Sequence, residues 1–312
     1  MKLFSNKSRP AHLGPFPLER LARSTDMPDL QAVPAFRQMS FENSNPENII
    51  NAMSESQAML DAIRDGIVNA AQADVPADPK ERANHLKGFG YFSDASMIGT
   101  CGFLPSMMLA DSFRNPDIDR LAEKLRTTQT KTLASGIDMI MADLRDAMNA
   151  PPKDMDGHRH ALVFAVQTPR AVRPGEPGED WLKGAGDHRS ALRAMEIAVV
   201  IAQYIRLLGF DARAHGHSSS DVDLNRLAVA AGLATAEDDG LTNPYIGTGF
   251  SLAAVTTEFE IAHDTPMAPL ADQPRSVMNG LAWRFGYRTA KSAQTLDPFQ
   301  KRRFVDGPHP FE

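Results

Sequence analysis

Apolar positions along the chain fall into two kinds of period. Ile49, Met53, Leu60, Ile63 and Ile67 recur at helical spacing after Asn45-Pro46-Glu47, which offers an N-cap, a proline at the first helical position and an early acid. That pattern predicts a helix closing before Pro76 and Pro79. Between Gly88 and Phe103, apolar residues lie among Gly88, Gly90, Gly99 and Gly102, a pattern that predicts a strand bounded by tight turns. Asn115-Pro116-Asp117 opens a second helical period reaching Met148, stopped by Pro151-Pro152. Ala161 to Val166 is a continuous apolar run, the mark of a strand buried on both faces. The clearest helix spans about His188 to Leu208, with Arg193, Glu196, Gln203 and Arg206 in one polar stripe and Gly209 closing it. Phe210 to His215 reads as a strand, Ser218 to Asp223 as the cap of a helix through Ala231 that Gly232 ends, and Gly249 to Ile261 as the last strand.

Strands alternating with helices imply crossover connections and an α/β (α+β) sheet with helices on both faces. Residues 1–44 read as an N-terminal arm rich in proline and polar residues, 45–269 as the domain, and 270–312 as an extended C-terminal tail. The tail sets Trp283, Phe285, Tyr287, Phe299 and Phe304 beside Arg284, Arg288, Lys301, Arg302 and Arg303, as a segment laid across a neighbouring surface would. Composition changes this picture little: 312 residues, 42% hydrophobic and 23% charged, are ordinary for a globular chain. The formal net charge of −6 argues against a general nucleic-acid partner. The longest apolar run, Ile197 to Leu208, is broken by Gln203 and Arg206 and is too short to span a membrane. No apolar signal core follows the basic N-terminus, so the expectation is a cytoplasmic protein.

The one cysteine, Cys101, rules out an intrachain disulfide and leaves the chain three thiolates short of a cubane iron–sulfur cluster. On its apolar strand it reads as a small buried hydrophobe.

Five segments in order resemble the cobalamin-dependent reductive dehalogenases and the epoxyqueuosine reductases. These are Leu86 to Thr100, Ala161 to Val166, Ala202 to Ala212, Leu227 to Ala234, and Thr256-Thr257 with Asp264 to Pro269. The likeness covers roughly 60% of the chain. It implies a nitroreductase-like fold and a cobalamin cradle, with flavin mononucleotide as the alternative cofactor. It also marks departures. Ala234 to Gly240 is acidic where the relatives carry a glycine-bearing loop near the corrin, and a ferredoxin part with two cysteine quartets is missing. The chain therefore resembles the leading, non-catalytic and cluster-free copy of the fold in catabolic reductive dehalogenases, divergent in the cofactor loop, with cobalamin either kept or lost.

The candidate chemistry follows. His215 and His217 lie two apart and would face one side of a strand, able to meet a metal or a corrinoid cobalt, against the plainer reading of loop histidines. His158 and His160 share that spacing at the entry to a strand, and no metal site is assigned. Ser218, Ser219, Ser220 and Asp221, at an expected helix N-terminus, suit a cofactor phosphate, or simply a cap. Gly232 belongs to the turn that, in the resemblance, precedes the family's cofactor loop. Asn243, Gly247, Thr248 and Gly249 would let a flat ring approach the backbone, and Tyr245 is the candidate proton donor.

The expected function is a reductive-dehalogenase-like domain without clusters, acting as a non-catalytic or cobalamin-associated partner of a corrinoid oxidoreductase. It would pair with a catalytic dehalogenase domain or with a second copy of itself. The alternatives are a stand-alone dimeric cobalamin- or flavin-binding reductase, an oxidoreductase fed by an external ferredoxin or reductase, and a cobalamin-trafficking protein.

Overall fold

The doubly buried run at Ala161 lies near the middle of the molecule. The computed structural model describes residues 9–128, 154–237, 240–274 and 277. In chain order its elements are α1 (Ile49–Ala62), α2 (Pro79–Phe92), β1 (Met97–Gly102), β2 (Met108–Phe113), α3 (Asp117–Thr128) and β3 (His160–Gln167). There follow a single turn at Glu179–Leu182, α4 (Ala185–Leu207), β4 (Ala212–His215), β5 (Ser220–Val222) and α5 (Leu224–Ala230). The last three are β6 (Thr235–Glu237), β7 (Gly240–Thr242) and β8 (Phe250–Thr257). The main sheet has the order β1-β3-β8-β4, and every neighbouring pair is antiparallel. β2 pairs with β5, and β6 with β7.

The period of two in β3 and β8 divides the core. Leu162, Phe164 and Val166 pack with Ala253, Val255 and α4 residues such as Ile197, Ile201 and Ile205. This is the helical face, covered by α2 and α4. Val163, Ala165, Leu252 and Cys101 point the other way, towards α5 and the arm. The expected α/β class with helices on both faces is thus found. On this mixed face the arm buries Leu18, Leu21, Leu30, Val33 and Phe36, and Arg23 forms an isolated bridge with Met267. Gly232, at φ +64°, sits beneath that contact: a Cβ there would lie 2.2 Å from Arg23 Nη1 and 2.3 Å from the Thr265 carbonyl oxygen.

Several local expectations are corrected. α1 is capped by Asn48, whose side chain accepts from the Ile50 N–H, while Asn45 is used one turn earlier on the Glu47 N–H. The helix ends at Ala62, and Ile67 is 91% exposed. Its buried side is Ile50, Ser54, Gln57, Ala58 and Asp61 rather than the predicted apolar set. Polar partners from elsewhere in the chain decide which side faces in.

The segment around Gly88 and Gly90 is helix, not strand. Asp78 caps α2 through the Lys80 N–H with Pro79 just inside, and Gly90 serves close packing. A Cβ on Gly90 would meet Ile98 Cδ1 at 2.4 Å. The turn into β1 falls at Asp94, φ +72°. In α4 the predicted polar stripe is broken, because Arg206 is buried and its Nη1 donates to the Ala212 carbonyl at 2.8 Å. β4 starts at Ala212 rather than Phe210. The helical period beyond Thr128 and the aromatic tail lie outside the described residues.

Candidate functional site

The antiparallel pairing of β4 with β8 sets Arg213 opposite Thr256. Arg213, His215 and Thr256 are all buried on the mixed face. β5 brings Asp221 under them. Its Oδ2 takes hydrogen bonds from Arg64 Nη1 at 2.7 Å and Arg213 Nη1 at 3.2 Å, and Arg213 Nη2 reaches Asp65 at 2.9 Å. Burial alone would raise the Asp221 pKa, but the hydrogen bond and charge of Arg64, with His215 and Arg213, overcome it and hold the carboxyl well below its usual range.

A chain of hydrogen bonds leads from this pair to the surface. The Asp221 N–H donates to His215 Nδ1 at 3.3 Å, so the neutral imidazole carries its proton on Nε2, 2.9 Å from Thr256 Oγ1. Thr256 Oγ1 lies 2.8 Å from His158 Nδ1, and His158 Nε2 lies 3.3 Å from Asp211 Oδ2. Burial, more than any neighbour, pushes the His215 pKa well down. A cleft of about 800 Å³ opens beside the network, lined by Phe103, Met108, His158, Arg159, Arg213 and Asp221 among others.

A second cluster lies on the inner side of α1. Asp61 accepts from Ser218 Oγ at 2.6 Å, Asn115 Nδ2 at 2.8 Å and Gln57 Nε2 at 3.0 Å. Burial pushes its carboxyl up to about 6 against the pull of those donors. Gln57 also donates to Ser218 Oγ at 2.8 Å, and its own Oε1 is buried without a partner.

The predicted site residues are therefore dispersed, and most are engaged. Ser218 serves Asp61. Ser219 Oγ accepts from the Asn115 N–H at 2.9 Å, and Ser220 Oγ donates to the Val222 carbonyl at 2.7 Å. The expected helix N-terminus is absent here, because Ser220 begins β5 and Asp223 caps α5 through the Asn225 and Arg226 N–H groups. His217 has surroundings of its own: its Nε2 accepts from the Leu252 N–H at 3.0 Å, its ring meets Phe36 edge-on at 5.2 Å, and burial lowers its pKa to about 4.

Tyr245 is a peg for the arm. Its hydroxyl donates to the Pro17 carbonyl at 2.9 Å and its ring stacks on Phe16, with burial pushing the phenol up to about 12. Asn243 and Gly247 close a tight loop by two reciprocal backbone bonds of 2.9 and 2.8 Å, with Gly247 at φ +68°. Thr248 and Gly249 are exposed, and a Cβ on Gly249 would meet only Thr168 Cβ, at 4.0 Å.

Most of these positions offer no free group to cobalamin or flavin mononucleotide. Both nitrogens of His215 and Nε2 of His217 are engaged, the three serine hydroxyls serve internal partners, and the glycine loop folds on itself. Cys101 is fully buried with its thiol pushed up to about 12, an unreactive core residue. Sequence reasoning missed Asp61, Arg64, Arg213 and Thr256, and left His158 without a role. A signal did exist for α1: Ser54, Gln57, Asp61 and Arg64 form a polar stripe at helical spacing.

No protein-family model matches the chain, and no curated protein matches it by sequence. Among solved structures it is similar to the catabolic reductive dehalogenase NpRdhA, with 34% identity and a TM-score of 0.67 over 90% of this chain and 34% of that one. A reductive dehalogenase whose structure suggests a mechanism for B12-dependent dehalogenation matches equally. NpRdhA in complex with 3-bromo-4-hydroxybenzoic acid matches with a TM-score of 0.65. An epoxyqueuosine reductase bound to a tRNA stem loop aligns at 14% identity over 62% of this chain and 49% of that chain, with a TM-score of 0.36. The chain thus spans about a third of the length of the dehalogenases it matches, and the resemblance carried by its five motifs is borne out.

Proposed function

Starting from a reductive-dehalogenase-like domain, we propose that this chain is a non-catalytic partner of a corrinoid-bearing copy of the same fold, and that it holds no cobalamin itself. One observation carries this reading: most of the residues expected to receive the cofactor are spent on internal hydrogen bonds. Asp61, Ser218, Asn115 and Gln57 tie α1 to the β4–β5 loop, while Arg64, Arg213, Asp221 and His215 tie the same loop to the sheet edge. The charges on this face are paired with one another, and they fix the β4–β5 loop beside the cleft.

The single cysteine agrees with this reading, since cobalt reduction needs an electron donor that one thiolate cannot anchor. No helix among the described residues is long and apolar enough to cross a membrane, in keeping with a cytoplasmic partner. The visible spectrum of reduced cobalamin mixed with the purified chain tests the proposal, with and without a halophenol. The expected result is an unchanged corrinoid spectrum and no halide release. A shifted spectrum with turnover would establish an enzyme instead, and a shifted spectrum without turnover a carrier.

A further inference from the structure

The arm and α2 enclose a smaller cavity of about 240 Å³, lined in part by Leu13, Leu18 and Arg23 on the arm and by Lys87, Tyr91 and Ile98 opposite. Its charges are unevenly matched. Lys87 Nζ binds both oxygens of Asp264 at 2.7 Å, and Arg9 holds Glu19 at 2.8 and 3.1 Å. Arg23 has no carboxylate partner among the described residues. Its Nη1 donates to the Gly232 and Thr265 carbonyls at 2.8 and 3.1 Å, and its Nη2 to the Leu18 carbonyl at 3.1 Å. We propose that this cavity binds a small organic monocarboxylate, with its charge on Arg23 and the Tyr91 hydroxyl and its body against Leu13, Leu18 and Ile98.

The guanidinium supplies the charge. Three of its five N–H protons are spent, all on neutral oxygens, and burial works against the charge they share. The carboxylate that acts on it most, Asp264, is already taken by Lys87 and by the Thr100 N–H and hydroxyl. One further negative charge would balance it. A phosphate dianion would bring a second charge against Glu19 and Asp264, which also line the cavity.

Tyr91 supplies a neutral donor. Its hydroxyl accepts from the Ile98 N–H at 3.1 Å, and its own proton reaches no acceptor among the described residues. Burial pushes the phenol well above its usual range, so that proton stays in place to be donated. The ring is held from the arm side, where a Cβ on Gly14 would lie 2.3 Å from it. Size and lining choose the rest of the ligand. The cavity is smaller than the roughly 300–1,000 Å³ of sites for drug-sized molecules, and its leucine and isoleucine walls suit a short apolar chain. A ligand there touches arm and domain together, and so adds to the hold that Arg23 already has on the turn at Gly232.

The test is sodium butyrate, sodium acetate and sodium phosphate, each titrated into the full chain at constant ionic strength and followed by amide proton–nitrogen NMR. We expect butyrate to give saturable one-to-one shifts at Leu13, Ile98 and Thr265. Acetate should bind about tenfold more weakly, since each buried methylene is worth roughly fourfold, and phosphate should not saturate. Arg23→Gln should weaken butyrate binding at least tenfold and Tyr91→Phe about fivefold, the second without removing any contact that pins the arm through Arg23. Arg20→Gln, which removes an exposed arginine outside the lining, should leave the affinity unaltered. No saturation with butyrate, phosphate binding as tightly as butyrate, or an affinity unchanged by Tyr91→Phe would overturn the assignment.

Discussion

On the helical face Leu162, Phe164 and Val166 meet Ile197, Ile201 and Ile205 in apolar contact. On the mixed face of the same sheet Arg213, His215 and Thr256 are buried with Asp221 under a loop, and Asp61 is buried beyond them with its uncharged partners. Apolar packing asks only that shapes fill space, so it tolerates many sequences. A buried ionic network asks that every group be paired at once, and it fails if one member is lost. The difference shows how the two faces are held: the helical face by shape, the mixed face by a paired network that fixes the β4–β5 loop.

The largest effect should come from breaking that network. Asp221→Ala leaves Arg64 and Arg213 facing one another without their shared carboxylate, and should cost about 3–5 kcal/mol in urea unfolding. A loss below about 1 kcal/mol would remove the contrast between the faces. Ile201→Ala on the helical face should cost about 2–5 kcal/mol through lost burial and a residual cavity. Its cost should stay constant between low and high salt.

The third contrast lies in pH. Asp61, with its folded pKa raised to about 6, binds its proton more tightly folded than unfolded. Its contribution is therefore present below about pH 4 and is lost as pH rises to about 6, by on the order of 3 kcal/mol. His217, lowered to about 4, works in the opposite sense: its contribution is present above about pH 6.5 and is lost as pH falls towards 4. The two partly cancel. Asp61→Asn should unmask the histidine, so that unfolding free energies at pH 7 and pH 4.5 differ by about 2 kcal/mol more than in the parent chain. An unchanged difference would show that Asp61 does not titrate in that window. The smallest effect is expected at the arm, where Tyr245→Phe removes the bond to Pro17 and should cost about 1 kcal/mol.

The helical face was legible in the sequence because period and burial agree there. The run Ala161 to Val166 became β3, and the helix closed by Gly209 appeared within three residues of its predicted start. The mixed face was harder to read. Hydrophobic spacing pointed Ile49 and Ile67 inward, but Asn115 and Ser218, the partners of Gln57 and Asp61, lie 54 or more residues away, and no local pattern reports them. Gly90 misled for a related reason: a glycine needed for close helix–strand packing looks, in one dimension, like a turn. Ser218 to Asp221 carried the composition of an anion site, yet a three-residue strand took the place of the expected helix N-terminus.

Calorimetric titration of cobalamin, and separately of flavin mononucleotide, into the isolated chain bears most directly on whether the mixed face is closed. No heat of binding up to millimolar ligand is the predicted result, both for the parent chain and for Ser218→Ala. Saturable one-to-one binding of either cofactor at micromolar concentration would contradict it.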